Sequence, residues 1–150
     1  MKTLRSRQRG AVALELALSL PVLLTMLTYL LFYGRVLYNY EVAQKAARDS
    51  ARYLSSVPAM NLKNPVLAAH EVNLANAMIQ SQLSAIAPAP GGVVVVLNCD
   101  SVPCTMLQGN TPSTVTAIIA IDVQNGLNGY AGALTNLQVR AVHSMRYVGQ

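Results

Sequence analysis

The chain is predicted to adopt an α+β fold: a long N-terminal helix, a second helix, and a small antiparallel sheet of three or more strands. Three observations predict it. A basic leader gives way to a long apolar run, apolar residues then recur every 3.6 positions through two further segments, and from Val93 onward the period drops to two. The 150 residues suit one small domain plus an appendage, and 53% hydrophobic against 11% charged residues is too apolar for a disordered chain. That composition points to a membrane.

The net charge of +5 is concentrated at one end. Lys2, Arg5, Arg7 and Arg9 precede Gly10 with no acid among them, so the rest of the chain is close to neutral. Recognition of nucleic acid needs Lys and Arg spread over a folded face, and their confinement to a leader argues against such a partner.

From Ala11 to Gly34 the only ionisable side chain besides tyrosine phenols is Glu15. About 20 apolar residues cross a bilayer core, and a cationic flank stays in the cytoplasm, so the expected topology is N-terminus inside and body outside. The expected organisation is a cytoplasmic leader at 1–10, a transmembrane helix at 11–34, its periplasmic continuation at 35–57 and an α+β head at 58–150. A removable secretory signal would have a shorter apolar region and a small-x-small cleavage site, and Gly34-Arg35-Val36-Leu37-Tyr38 follows instead. A plain signal anchor accounts for everything except the positions of Gly10 and Glu15.

An ionised carboxylate inside an apolar span is costly unless something neutralises it. Glu15 either stays wet near the interface or meets a new positive charge. Cleavage between Gly10 and Ala11 would create such a charge, the free α-amine of Ala11, which on the same or a neighbouring subunit would offset the glutamate and set axial register between helices.

These residues carry a resemblance. RQRG followed by AVALELALSLPVLL resembles the signal of type IV pilin-like proteins, cut on the cytoplasmic side by a prepilin peptidase. More narrowly, RGAVALELALSLPVLLTMLTYLLFYGRVLYNYEVAQKAARDSARYLSS resembles the TadE-like pseudopilins of tight-adherence pilus systems. Their Gly/Ala junction, Glu, Leu-Pro and Ala-Ala-Arg-x-x-Ala-Arg helix correspond here to Gly10-Ala11, Glu15, Leu20-Pro21 and Ala46 to Arg52. The resemblance covers about the first third of the chain. The major pilins of these systems are shorter and usually have Glu-Tyr where this chain has Glu15-Leu16, which favours a minor pseudopilin. TadF-like and TadG-like relatives share this kind of N-terminus, and the length argues against the larger TadG-like type.

Beyond the span, Val36, Tyr40, Ala43, Ala47, Ala51 and Leu54 keep helical spacing while Arg35, Glu41, Lys45, Arg48, Asp49 and Arg52 lie mostly elsewhere. Glu41 with Lys45, and Lys45 with Asp49, are opposite charges one turn apart, worth about 0.2–0.5 kcal/mol per pair. Pro21 removes a backbone bond to Ala17 and predicts a kink or local loosening. It is either a tolerated transmembrane proline or a flexible point used as the subunit leaves the bilayer.

Pro58 ends the long helix, and Asn64-Pro65 starts another, with Asn as N-cap and Pro in the first turn. Ala68, Val72, Ala75, Ile79, Leu83 and Ile86 form its apolar stripe, suited to packing on a sheet. Pro88, Pro90, Gly91 and Gly92 stop it. The strands are Val93 to Leu97; Val115 to Val123, with apolar residues at every second position; and Leu137 to Tyr147, alternating likewise. Cys99 and Cys104 lie at a hairpin connection, where an oxidising periplasm favours a disulfide staple over a zinc site lacking two further ligands.

The search for catalysis is negative. His70-Glu71 begins H-E-x-x-H, but Leu74 replaces the second ligand. His143 falls on the apolar face of the last strand and reads as a core histidine. Gly126, Gly129 and Gly132 have the wrong spacing for a dinucleotide loop and read as a flexible loop. No nucleophile elbow, metal site or cofactor motif is found, and a membrane-tethered hydrolase would need a site assembled from residues distant in sequence.

The resulting expectation is a structural, non-catalytic minor pseudopilin of the bacterial inner membrane. The resemblance implies as partners a prepilin peptidase, a TadF-like sibling pseudopilin, the major pilin and an inner-membrane assembly platform, besides membrane lipid. The competing expectation is an uncleaved bitopic inner-membrane protein with a periplasmic binding domain.

Overall fold

A computed structural model describes residues 4–86, 92–123 and 137–149, with side chains from residue 11 onward. Helix α1 spans Leu4–Ser56. It therefore begins inside the basic leader, earlier than the Ala11 start expected, and the Gly10–Ala11 peptide is helical. The chain forms two compact units, Met1–Arg35 and Val36–Gln150.

In the first unit every residue from Ala11 to Leu27 is exposed. This is the one helix among the described residues long and apolar enough to cross a membrane. Three of its hydroxyls are satisfied by the helix itself: those of Ser19, Thr25 and Thr28 donate to the carbonyls of Leu16, Val22 and Leu24 at 3.3, 2.8 and 2.9 Å. A hydroxyl bonded back to its own helix leaves no stray donor in hydrocarbon. Helical structure continues through Pro21.

In the second unit α1 changes character, because alanines occupy the face that meets the core. Ala43, Ala46, Ala47, Ala51 and Leu54 are buried, and small side chains let neighbouring elements approach closely. The stripe passes through Asn39, which is buried, whereas Tyr40 is 42% exposed. Tyr40 thus departs from the expected apolar face; its phenol oxygen accepts a bond from Gln44 Nε2 at 2.9 Å on the outer surface.

Helix α1 stops before Pro58, and a single-turn helix α2, Ala59–Lys63, intervenes before the next long helix. This turn, too short to show a period in the sequence, buries Leu62. Helix α3 spans Pro65–Leu83, capped as expected by Asn64, whose side-chain oxygen accepts from the Val66 N–H at 3.0 Å. A 3₁₀ turn, Ser84–Ile86, prolongs it and buries Ile86. The buried residues of α3 are Ala68, Ala75, Ile79 and Leu83, all members of the predicted stripe. Pro88, Pro90 and Gly91 lie outside the described residues.

Among the described residues the sheet has four antiparallel strands in the order β2-β1-β3-β4: β1 Val93–Cys99, β2 Val102–Pro103, β3 Thr114–Val123 and β4 Leu137–Arg146. Period-2 alternation in β3 puts Val115, Ala117, Ile119, Ile121 and Val123 inward. Leu97 of β1 and Ala141 of β4 join them, and this face shares one core cluster with the stripes of α1 and α3. Burying each of the larger aliphatic side chains contributes about 1.5–3 kcal/mol. In the second unit the outer part of α1, α2 and α3 thus share a core with one face of the sheet.

Candidate functional site

The residues singled out by sequence fall in both units. In the first, Ala11 and Glu15 stand four apart on a continuous helix, so they share one face a single turn apart. A free amine at Ala11 would sit one turn before the carboxylate. Pro21, six positions beyond Glu15, lies on a different side of the helix. Glu15 and its apolar neighbours are exposed: Val12, Leu14, Leu16 and Leu18 are each at least 60% accessible. What this surface can do chemically is limited to apolar contact plus one charge. Such a surface is suited to lipid or to other apolar helices.

In the second unit Cys99 and Cys104 are disulfide-bonded, with Cα atoms 4.8 Å apart. The bridge straddles a turn in which Asp100 and Ser101 have φ of 50° and 71°, the left-handed pair that a two-residue type I′ hairpin requires. The turn is held from the next strand. The Asp100 carboxylate accepts from the Ser113 N–H at 2.6 Å and Oγ at 2.7 Å, and from the Thr114 N–H and Oγ1, both at 2.9 Å. Bonds from Ser113 and then Thr114 favour the charged form and lower the Asp100 pKa to about 2. Sequence spacing points to the cysteines and not to Asp100; the Asp-Ser pair between Cys99 and Val102 is the available turn signal.

Glu71, weighed in sequence as half of a zinc motif, is instead a tie between helices. Its Oε2 accepts from the Tyr53 hydroxyl and its Oε1 from Asn61 Nδ2 at 2.8 Å, which joins α3 to α1 and α2. Desolvation first, then the bond and charge of Glu71, raise the Tyr53 pKa to about 12. His70 beside it is exposed. His143 has the inward parity of β4, pairs with Ala117 and is half-buried. Gly126, Gly129 and Gly132 lie outside the described residues. Among the described residues no three His, Cys, Asp or Glu side chains come together as a metal ion would need.

The other two carboxylates bonded in this unit also take neutral donors: Asp49 from Gln82 Nε2 at 3.0 Å and Asp122 from Gln138 Nε2 at 3.1 Å. Asp49 is therefore held toward α3 rather than simply paired with Lys45 along α1. The side-chain oxygen of Gln82 has no partner among the described residues.

Comparison with known proteins gives a match where the exposed helix lies. Residues 10–52 match the family model described as TadE-like protein. No curated protein and no solved structure matches the chain. The matched segment begins at Gly10, takes in Glu15 and Pro21, and ends at Arg52, so this segment of the chain is similar to TadE-like proteins.

Proposed function

We propose, taking the TadE-like segment as the premise, that the protein is a non-catalytic minor pseudopilin used to initiate, prime or support assembly of a tight-adherence pilus. It is made as a precursor and inserted once in the bacterial inner membrane, with the N-terminus in the cytoplasm and the second unit in the periplasm. A prepilin peptidase cuts it between Gly10 and Ala11.

The observation that carries this reading is a helix matched to the family at Gly10 and exposed without interruption from Ala11 to Leu27. Such a surface is stable only in lipid or against other apolar helices. Helix bundling follows: apolar side chains supply contact and Glu15 supplies register, since a carboxylate in hydrocarbon seeks the one nearby cation that processing creates. The cationic leader supports the orientation, and the Cys99–Cys104 bridge suits an oxidising periplasm. The second unit then selects partners among a sibling pseudopilin, the major pilin and the assembly platform.

The test is the Glu15→Ala variant in cells that make the pilus. The reading expects normal membrane insertion and normal processing with pili strongly reduced. Normal piliation would remove the charge pairing, and piliation unaffected by deletion of the whole gene would remove the function.

A further inference from the structure

Neutral donors bond to four carboxylates of the second unit, Asp49, Glu71, Asp100 and Asp122, while Arg48, Arg52, Arg140 and Arg146 are exposed. Two of these arginines face one place. Arg52 near the end of α1 and Arg146 at the end of β4 line an open cleft of about 670 Å³, with Ser55, Ser144, Met145 and Val148 among its other walls and no carboxylate side chain among the described residues of its lining.

The walls are tied together. The N–H groups of Val148 and Gly149 donate to the Ser55 carbonyl at 2.9 and 3.1 Å, and the Tyr147 N–H donates to the Ser113 carbonyl at 2.9 Å. The chain segments that carry the two arginines are thereby held side by side, so an anion in the cleft would draw on both charges. The end of a helix carries about half a negative charge. Here its last carbonyls are capped by the C-terminal segment, and two full positive charges outweigh it. Ser144 Oγ accepts from Thr116 Oγ1 at 3.1 Å, which leaves its own proton free to donate. Ser55 Oγ instead donates to the Arg52 carbonyl at 2.8 Å and is not available.

We propose that the Arg52–Arg146 cleft binds a phosphate group. Two guanidinium forks and one hydroxyl suit the several acceptor oxygens and larger charge of a tetrahedral phosphate better than the two oxygens and single charge of a carboxylate. A phospholipid headgroup and a soluble phosphate compound present the same chemistry.

The experiment is calorimetric titration of the full chain, in non-ionic detergent micelles, with inorganic phosphate at constant ionic strength against a chloride control. Saturable binding is expected with phosphate and not with chloride. Arg52→Gln and Arg146→Gln should each weaken it about 10-fold, because each removes a charge-assisted contact. Arg140→Gln, on the same strand but outside the cleft lining, should leave it unchanged. Circular dichroism checks each fold, and Arg52→Lys and Arg146→Lys, which keep the charge but lose the fork, should fall between. Adding phosphatidylglycerol to the micelles assigns the source: competition with phosphate identifies the headgroup, and its failure to compete identifies a soluble phosphate. Absence of saturation, an equal response to chloride, or glutamine variants that bind like the unaltered chain would each overturn the proposal.

Discussion

The Tyr147 hydroxyl donates to the backbone carbonyl of Val57 at 2.7 Å, across 90 residues of sequence. The bond closes the end of α1, where the last carbonyls of a helix have no partner of their own. Burial raises the Tyr147 pKa, which keeps the phenol a donor. Beside it, a Cβ added at Gly149 would run into both the Val57 carbonyl and the Tyr147 ring. Tyr147→Phe should cost about 0.5–1.5 kcal/mol, the usual net worth of one hydrogen bond. Gly149→Ala should cost more, because backbone must move. Denaturant titration of the detergent-solubilised protein compares them, and equal stability of Gly149→Ala and the unaltered chain would show that the tail does not hold this position.

The two faces of the sheet predict opposite sensitivities. Ile119 is fully buried on β3, whereas Val142 on β4 is 45% exposed. Ile119→Ala should lose about 2–5 kcal/mol through lost contacts and a cavity. Val142→Ala should stay within about 0.5 kcal/mol. The same titrations check both.

Alkaline stability should depend on the Tyr53–Glu71 tie. Tyr53 has its pKa raised from 10.0 to about 12, so the fold favours the protonated phenol. That contribution is complete below pH 10 and is lost as pH rises toward 12. Tyr53→Phe should remove this part of the alkaline decline, as read from melting temperature against pH. An unchanged profile in that variant would mean the tie does not contribute.

Acid stability should depend on Asp100 in the reverse sense. Its pKa is lowered from 3.8 to about 2, so its contribution is complete above about pH 4 and is lost as pH falls toward 2. The turn it holds is also closed by the Cys99–Cys104 bridge, and a loop this short contributes about 2 kcal/mol by restricting the unfolded chain. Asp100→Asn should flatten the acid limb while reduction of the disulfide lowers stability at all pH values. Melting curves between pH 2 and 7, with and without reductant, separate the two.

Most of the architecture was legible because periodicity reports burial. Ala68 to Ile86 and Val115 to Val123 each followed one period with few interruptions, and Asn64-Pro65 is a start signal with a local cause. The short elements were not legible. Helix α2 is a single turn with one buried residue, Leu62, and β2 has two residues paired to the end of β1; neither is long enough to show a period. Tyr40 has the apolar spacing yet lies outward, because the neighbouring Asn39, polar by sequence, occupies the buried position on α1. Gly10-Ala11 and Glu15 stand out in the sequence because the pattern they belong to is contiguous. The ties at Glu71, Tyr147 and Asp100 do not, because their partners lie 10 to 90 residues away.

The central claim rests on the bond between Gly10 and Ala11. Its most direct test is the intact mass and N-terminal sequence of the protein extracted from membranes of cells with and without the prepilin peptidase. A mature chain that begins at Ala11 only when the peptidase is present is the predicted result. A chain that begins at Met1 in both would contradict it and leave an uncleaved membrane anchor with a periplasmic binding domain.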